Sequence, residues 1–70
     1  IDLVAWLSRY IYVIELKLSN NGGIAAAEQQ ITTCGYTEPF KGDPRRVVGL
    51  AVELDSEGKG LIDWKVMEEQ

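Results

Sequence analysis

Apolar residues fill nearly every position from Ile1 to Leu7, with Ile1, Leu3, Ala5 and Leu7 on one side of an extended chain and Asp2, Val4 and Trp6 on the other. After Ser8 and Arg9, the stretch Tyr10 to Leu18 reads YIYVIELKL. It is rich in the branched and aromatic side chains that suit a pleated surface. Two strands separated by two polar residues predict a hairpin. Ser-Arg is not the Asn-Gly or Asp-Gly pair that the tightest turns prefer, so a longer turn stays open. Ser19 to Gly23 is a loop by composition. Ile24 to Cys34 then predicts a short helix, with Ile24, Ala27, Ile31 and Cys34 on one side and Gly35 placed to cap it. Tyr36 to Pro44, with Pro39, Gly42 and Asp43-Pro44, is an irregular connection. Arg46 to Leu54 is a nearly unbroken apolar run, which predicts a strand covered on both faces. Asp55 to Gly60 is a polar turn, and Leu61 to Met67 alternates more clearly, as a strand near a sheet edge does.

The order is strand, strand, helix, strand, strand. A helix between the second and third strands is a crossover that joins parallel strands with a right-handed connection, while the outer connections are hairpins. The expected class is therefore α/β: a mixed β-sheet in ββαββ order with one crossover helix covering at least one face. No internal repeat or low-complexity segment is present.

Composition narrows the picture. Seventy residues make one domain at most, near the lower limit of independent folding. The chain is 46% hydrophobic and 26% charged, as soluble globular proteins are. Cys34 is the single cysteine and there is no histidine, which excludes an internal disulfide and a structural zinc site. A reducing, cytoplasmic setting follows. No apolar run approaches the ~20 residues of a membrane span. Ile1 stands in mid-strand, so the chain reads as a piece of a longer one. The net charge of −4 argues against a basic nucleic-acid binder. It leaves room for an enzyme that meets phosphate through bound metal ions.

Candidate chemistry sits in the first hairpin. With Ser8 and Arg9 as the loop, Leu7 pairs with Tyr10, Val4 with Val13 and Asp2 with Glu15. Paired residues share a face with Cβ atoms ~5 Å apart, and Lys17, two residues beyond Glu15, points the same way. Three charged groups thus converge at one end of a face otherwise made of Val4, Trp6, Ile11 and Val13. Two carboxylates at that spacing repel by roughly 3 kcal/mol at an effective dielectric near 20. A domain this small has only roughly 3–10 kcal/mol of net stability. A divalent cation, the Lys17 ammonium or protonation of one acid would offset the repulsion. Two carboxylates completed by water and a substrate phosphate suit magnesium or manganese. A lysine beside such an ion can orient an attacking water or help deprotonate it. The plainer account of E-x-K on a strand is a solvated face with a weak ion pair.

The ordered set Asp2, Glu15-Leu16-Lys17, Gln30-Ile31 and Gly35-Tyr36 resembles the PD-(D/E)XK nuclease superfamily. The likeness is closest to the nuclease-like domain at the C-terminus of bacterial AAA-type ATPase proteins. There an E-x-K strand leads to a helix bearing glutamine and then to Gly-Tyr, here A-A-E-Q-Q-I and C-G-Y. It extends through R-R-V-V-G-L-A-V to I-D-W-K-V, essentially the whole chain. The resemblance implies a truncated restriction-endonuclease-like core that hydrolyses phosphodiester bonds of nucleic acid, DNA above all, with a metal-activated water. It implies Asp2, Glu15 and the Leu16 carbonyl as ligands of Mg2+ or Mn2+. Lys17 would act on the water, and Gln30 would position substrate or Lys17. It also implies an upstream ATPase domain in the same chain, and a helix and strand of the core that precede Asp2 in the family. The alternative is a catalytically inactive nuclease-like fold that serves as a binding or oligomerisation module.

The remaining singular residues are expected to be structural. Trp6 and Trp64 read as packing residues, Tyr10 and Tyr12 as packed under a helix on the face opposite the acids, and Tyr36 as a closure of the core. Cys34 reads as a buried small hydrophobe. Lys41, Arg45 and Arg46 form the local basic cluster, whose plain reading is a solvated loop. The first strand is expected to leave an unpaired edge, which with the small size predicts a homo-oligomer, two-fold symmetry being the commonest kind.

Overall fold

The computed structural model of the chain describes residues 2–67, and side chains from residue 3 onward. Ile1 lies outside the described residues. Four strands form where the branched and aromatic runs stand: β1 (Asp2–Trp6), β2 (Tyr10–Leu18), β3 (Arg46–Leu54) and β4 (Leu61–Met67). One helix, α1 (Gly23–Cys34), lies between β2 and β3, and short 3-10 turns occupy Ser19–Asn21 and Glu38–Phe40. The sheet order is β1-β2-β3-β4. β2 and β3 are parallel, and the two outer pairs are antiparallel. The mixed sheet with one crossover helix is as expected. Among the described residues β1 and β4 are the edge strands.

The first hairpin closes on Ser8 and Arg9, with the Leu7 N–H donating to the Tyr10 carbonyl at 2.8 Å. Asp2 pairs with Glu15, Val4 with Val13 and Trp6 with Ile11, so a two-residue loop suffices without Asn-Gly. The final hairpin is less regular. Glu53 faces Asp63 while Leu54 faces Leu61, so a bulge falls at Ile62.

The helix α1 and the Glu38–Phe40 turn lie on one face of the sheet. Glu53 meets the start of α1, Lys65 pairs with Glu28 at 3.0 Å, and Trp6 meets Phe40 edge-on at 5.2 Å. On that face Ala27 and Ile31 of α1 are buried together with Ile11, Val47 and Ala51 of the sheet. Gly49 is part of the same contact. A Cβ there would stand 3.0 Å from the Tyr36 ring, so glycine lets Tyr36 lie against β3 and donate its hydroxyl to the Met67 carbonyl at 3.1 Å. Tyr36 thus closes the core as expected.

Three expectations are corrected here. Arg46–Leu54 carries a helix on one face, not two, because the described residues supply a single helix, although Val52 on the other face is only 8% exposed. Tyr10 and Tyr12 lie on the face without a helix, where their rings stack against each other at 6.0 Å. Cys34 is exposed: of α1 only Gly23, Ala27 and Ile31 are buried, and Cys34 stands at the rim of a cleft shared with Val4 and Val13. Gly35 ends the helix in the left-handed region, with φ 60° and ψ 63°.

Gly23 is left-handed too, at φ 59°, and a Cβ on it would lie 2.7 Å from Glu53 Oε1. That oxygen accepts the Ile24 N–H at 3.0 Å and so caps α1 from β3. Gly23→Ala is expected to cost about 1–2 kcal/mol, from the left-handed backbone and a displaced cap together. A urea midpoint unchanged by the substitution would show that Glu53 does not hold the helix.

Candidate active site

Strand register builds the charged cluster. Asp2 and Glu15 hold paired positions on β1 and β2. Lys17 stands beside Glu53 of β3, which faces Asp63 of β4. These positions share the helix-covered face and lie toward the carboxyl ends of β2 and β3, the region where open α/β sheets bind ligands. The Asp2 backbone position is as expected, while its side chain lies outside the described residues.

Glu15 is only 2% exposed, the single buried charged residue among those described. A carboxylate taken out of water is costly unless charges or donors face it. The Lys17 ammonium lies 3.7 Å from Glu15 Oε2, itself partly open to solvent. A cleft of about 210 Å3 reaches Glu15 and is bordered by Val4, Gln30, Tyr36 and Phe40. On the other side of Gln30, a shallower groove of about 340 Å3 holds Lys17, Gln29 and Thr33. The structure thus gathers Glu15, Lys17 and Gln30, with Gln30 between the buried acid and the more open lysine. Leu16 lies between Glu15 and Lys17 on β2, its side chain directed to the opposite face.

Among the described residues no group of three or more His, Cys, Asp or Glu is close enough to hold a metal ion. The described donor is the Glu15 carboxylate, on a β2 position that pairs with Asp2 of β1. One or two carboxylates are what magnesium commonly takes from a protein, leaving the rest of its shell to water and phosphate. A buried carboxylate beside a second acidic position suits such a hard cation.

Glu53 is the residue that sequence reasoning missed. It stands next to Lys17 and caps α1, yet only the parallel register of β2 and β3 brings it there, and no local pattern encodes that register. The basic cluster is not a phosphate cradle. Lys41 pairs with Glu38 at 3.6 Å. Arg45 is committed to Asp43 through Nε and Nη2 at 3.0 Å each, to the Leu7 carbonyl at 3.3 Å, and to the Trp6 ring, 5.2 Å from its centroid. Hydrogen bonds from Arg45 hold the Asp43 carboxyl below the usual carboxylate range. Arg46 belongs to the opposite face of the sheet.

Trp6 packs on Phe40 and Arg45 although it remains more than half exposed, whereas Trp64 is 58% exposed. No helix of the described residues is long and apolar enough to cross a membrane. Compared with protein-family models, curated proteins and solved structures, the chain matches none.

Proposed function

We propose that the chain is the core of a metal-dependent phosphodiesterase of PD-(D/E)XK type, acting on nucleic acid, with DNA as its substrate. The observation that carries this reading is Glu15: a carboxylate 2% exposed, paired in register with Asp2, 3.7 Å from the Lys17 ammonium and reached by a cleft. A structural ion pair gains little from such burial. Stability is commonly given up in this way where chemistry requires it.

Asp2 and Glu15, with the Leu16 carbonyl, would hold Mg2+ or Mn2+, which when bound supplies charge stabilisation and a more acidic water. Lys17 has two tasks in this account. Its ion pair with Glu15 keeps the ammonium at the site, and its protons would orient the attacking water and offset charge on the phosphate as phosphorus gains a bond to the water oxygen and loses its ester bond to the leaving oxygen, which takes up a proton to leave as the alcohol. Gln30, bordering both clefts, positions Lys17 or the substrate through its amide. The wider setting proposed with this reading is a cytoplasmic, bacterial protein whose upstream ATPase domain shares the chain, assembled as a homo-oligomer.

The test is cleavage of DNA in the presence of magnesium. The parent is expected to cut, and Lys17→Ala to cut about 10²-fold or more slowly, the loss typical of removing one positioned electrostatic donor. Cleavage at the parental rate in Lys17→Ala would sink the assignment. A second reading is favoured by the uncovered apolar face of the sheet: an inactive nuclease-like fold serving as an assembly module. It requires that magnesium change neither stability nor DNA.

A further inference from the structure

The face of the sheet turned away from α1 is apolar almost throughout. On β2 and β3 it is formed by every second residue, from Tyr10 to Leu18 and from Arg46 to Leu54. β1 adds Leu3 and Ala5, and β4 adds Trp64 and Val66 through their pairing with Ile14, Tyr12, Val52 and Leu50. Of all these positions only Arg46, at one corner, carries a charge. Leu3 is 50% exposed and Trp64 58%, and among the described residues no helix lies over them. Antiparallel sheets that face water on one side show polar residues there. This face does not.

We infer that a second copy of this chain covers the face, sheet against sheet, about a two-fold axis. Area is the first argument. Strands ~4.8 Å apart with a rise of ~3.3 Å per residue give the face roughly 19 by 25 Å, about 475 Å2 in projection. Two such faces bring about 950 Å2 together before the relief of projecting side chains is added, close to the ~1,000 Å2 that a specific interface needs. The same area falls within the largest patches, about 300–600 Å2, found on single monomers, where they commonly mark a binding site.

The second argument is charge. Asp2, Glu15, Glu53 and Asp63 all hold positions on the helix-covered face, and the other described acids lie on α1 or in turns. Sheets in contact are ~10 Å apart, so most of each chain's negative charge stays beyond a screening length from its counterpart. Symmetry is the third. A face with no charge pattern cannot select a dissimilar partner electrostatically, whereas two equally twisted sheets pack at about 30° with their side chains interleaved. The assembly surface is then the sheet face rather than the free edge of β1. The inference stands apart from the nuclease reading, since it uses none of the charged residues.

Sedimentation equilibrium on the chain across a concentration series reads it directly, with Trp64→Lys and Gln29→Lys alongside. The parent is expected to be a dimer at micromolar concentrations. Trp64→Lys, which puts a charge onto the proposed contact from midway along β4, is expected to weaken dimerisation at least tenfold while circular dichroism stays parental. Gln29→Lys, on the exposed side of α1, is expected to dimerise like the parent. A folded parent that stays monomeric at 100 μM, roughly the millimolar-or-weaker regime of chance contacts, would overturn the proposal and assign the face to a segment or partner outside this chain. A dimer that survives folded Trp64→Lys would overturn it too, and would return the contact to the β1 edge.

Discussion

Glu15→Gln is expected to slow metal-dependent DNA cleavage by about 10²–10³-fold, the loss seen when one preorganised electrostatic group is removed from a site. The same substitution is expected to leave the metal-free protein at least as stable as the parent. Glutamine keeps the volume and one acceptor oxygen at a position that is 2% exposed, so no cavity opens. It removes a buried charge, whose desolvation is costly even with the Lys17 ammonium at 3.7 Å. Lys17 reaches solvent once released. Opposite signs for activity and stability are the signature of a group kept for chemistry. A structural ion pair gives the other pattern: a destabilised variant, with no change in cleavage beyond what unfolding explains.

Ile11→Ala is expected to be the most damaging single truncation in the core. Ile11 is 0% exposed, the largest fully buried side chain described, and it stands on the helix-covered face between Trp6 and Val47. Removing three carbons from such a place costs about 2–5 kcal/mol. The whole domain has roughly 3–10 kcal/mol. A large fraction of the variant should therefore be unfolded at 37 °C, read as a lost or strongly lowered thermal transition. Leu3→Ala makes the contrast: at 50% exposure, it should change monomer stability by less than about 0.5 kcal/mol, as surface positions do. Equal losses at both sites would mean that the open face, and not the α1 side, holds the principal core.

Much of the fold was legible because local pattern and tertiary structure agree. Tyr10–Leu18, Arg46–Leu54 and Leu61–Met67 are strands over the limits their composition suggests. The register of the first hairpin follows from a two-residue loop by counting, and with it the pairing of Asp2 with Glu15. Period-2 alternation separates the two faces of a strand but does not say which one a helix will cover. Here both faces of β2 are apolar over most of their length, so Tyr10 and Tyr12 could not be assigned to the open face. The same ambiguity made β3 look buried on both sides. Cys34 misled for a related reason, since the helical repeat continues to a position that borders an open cleft rather than the packed core. Glu53 shows the deepest limit. Its partners Lys17 and Ile24 are 36 and 29 positions away, one by parallel register and one by the crossover.

The central claim is that Glu15 is held in place for a cation, and a thermal melt with and without manganese tests it most directly. A ligand bound only by the folded state stabilises it by linkage. At manganese 100-fold above its dissociation constant the melting temperature should rise on the order of 10 °C for a domain of this size. The account requires that rise in the parent and none in Glu15→Gln, both measured at one protein concentration. No shift in the parent, or an equal shift in both proteins, would contradict it.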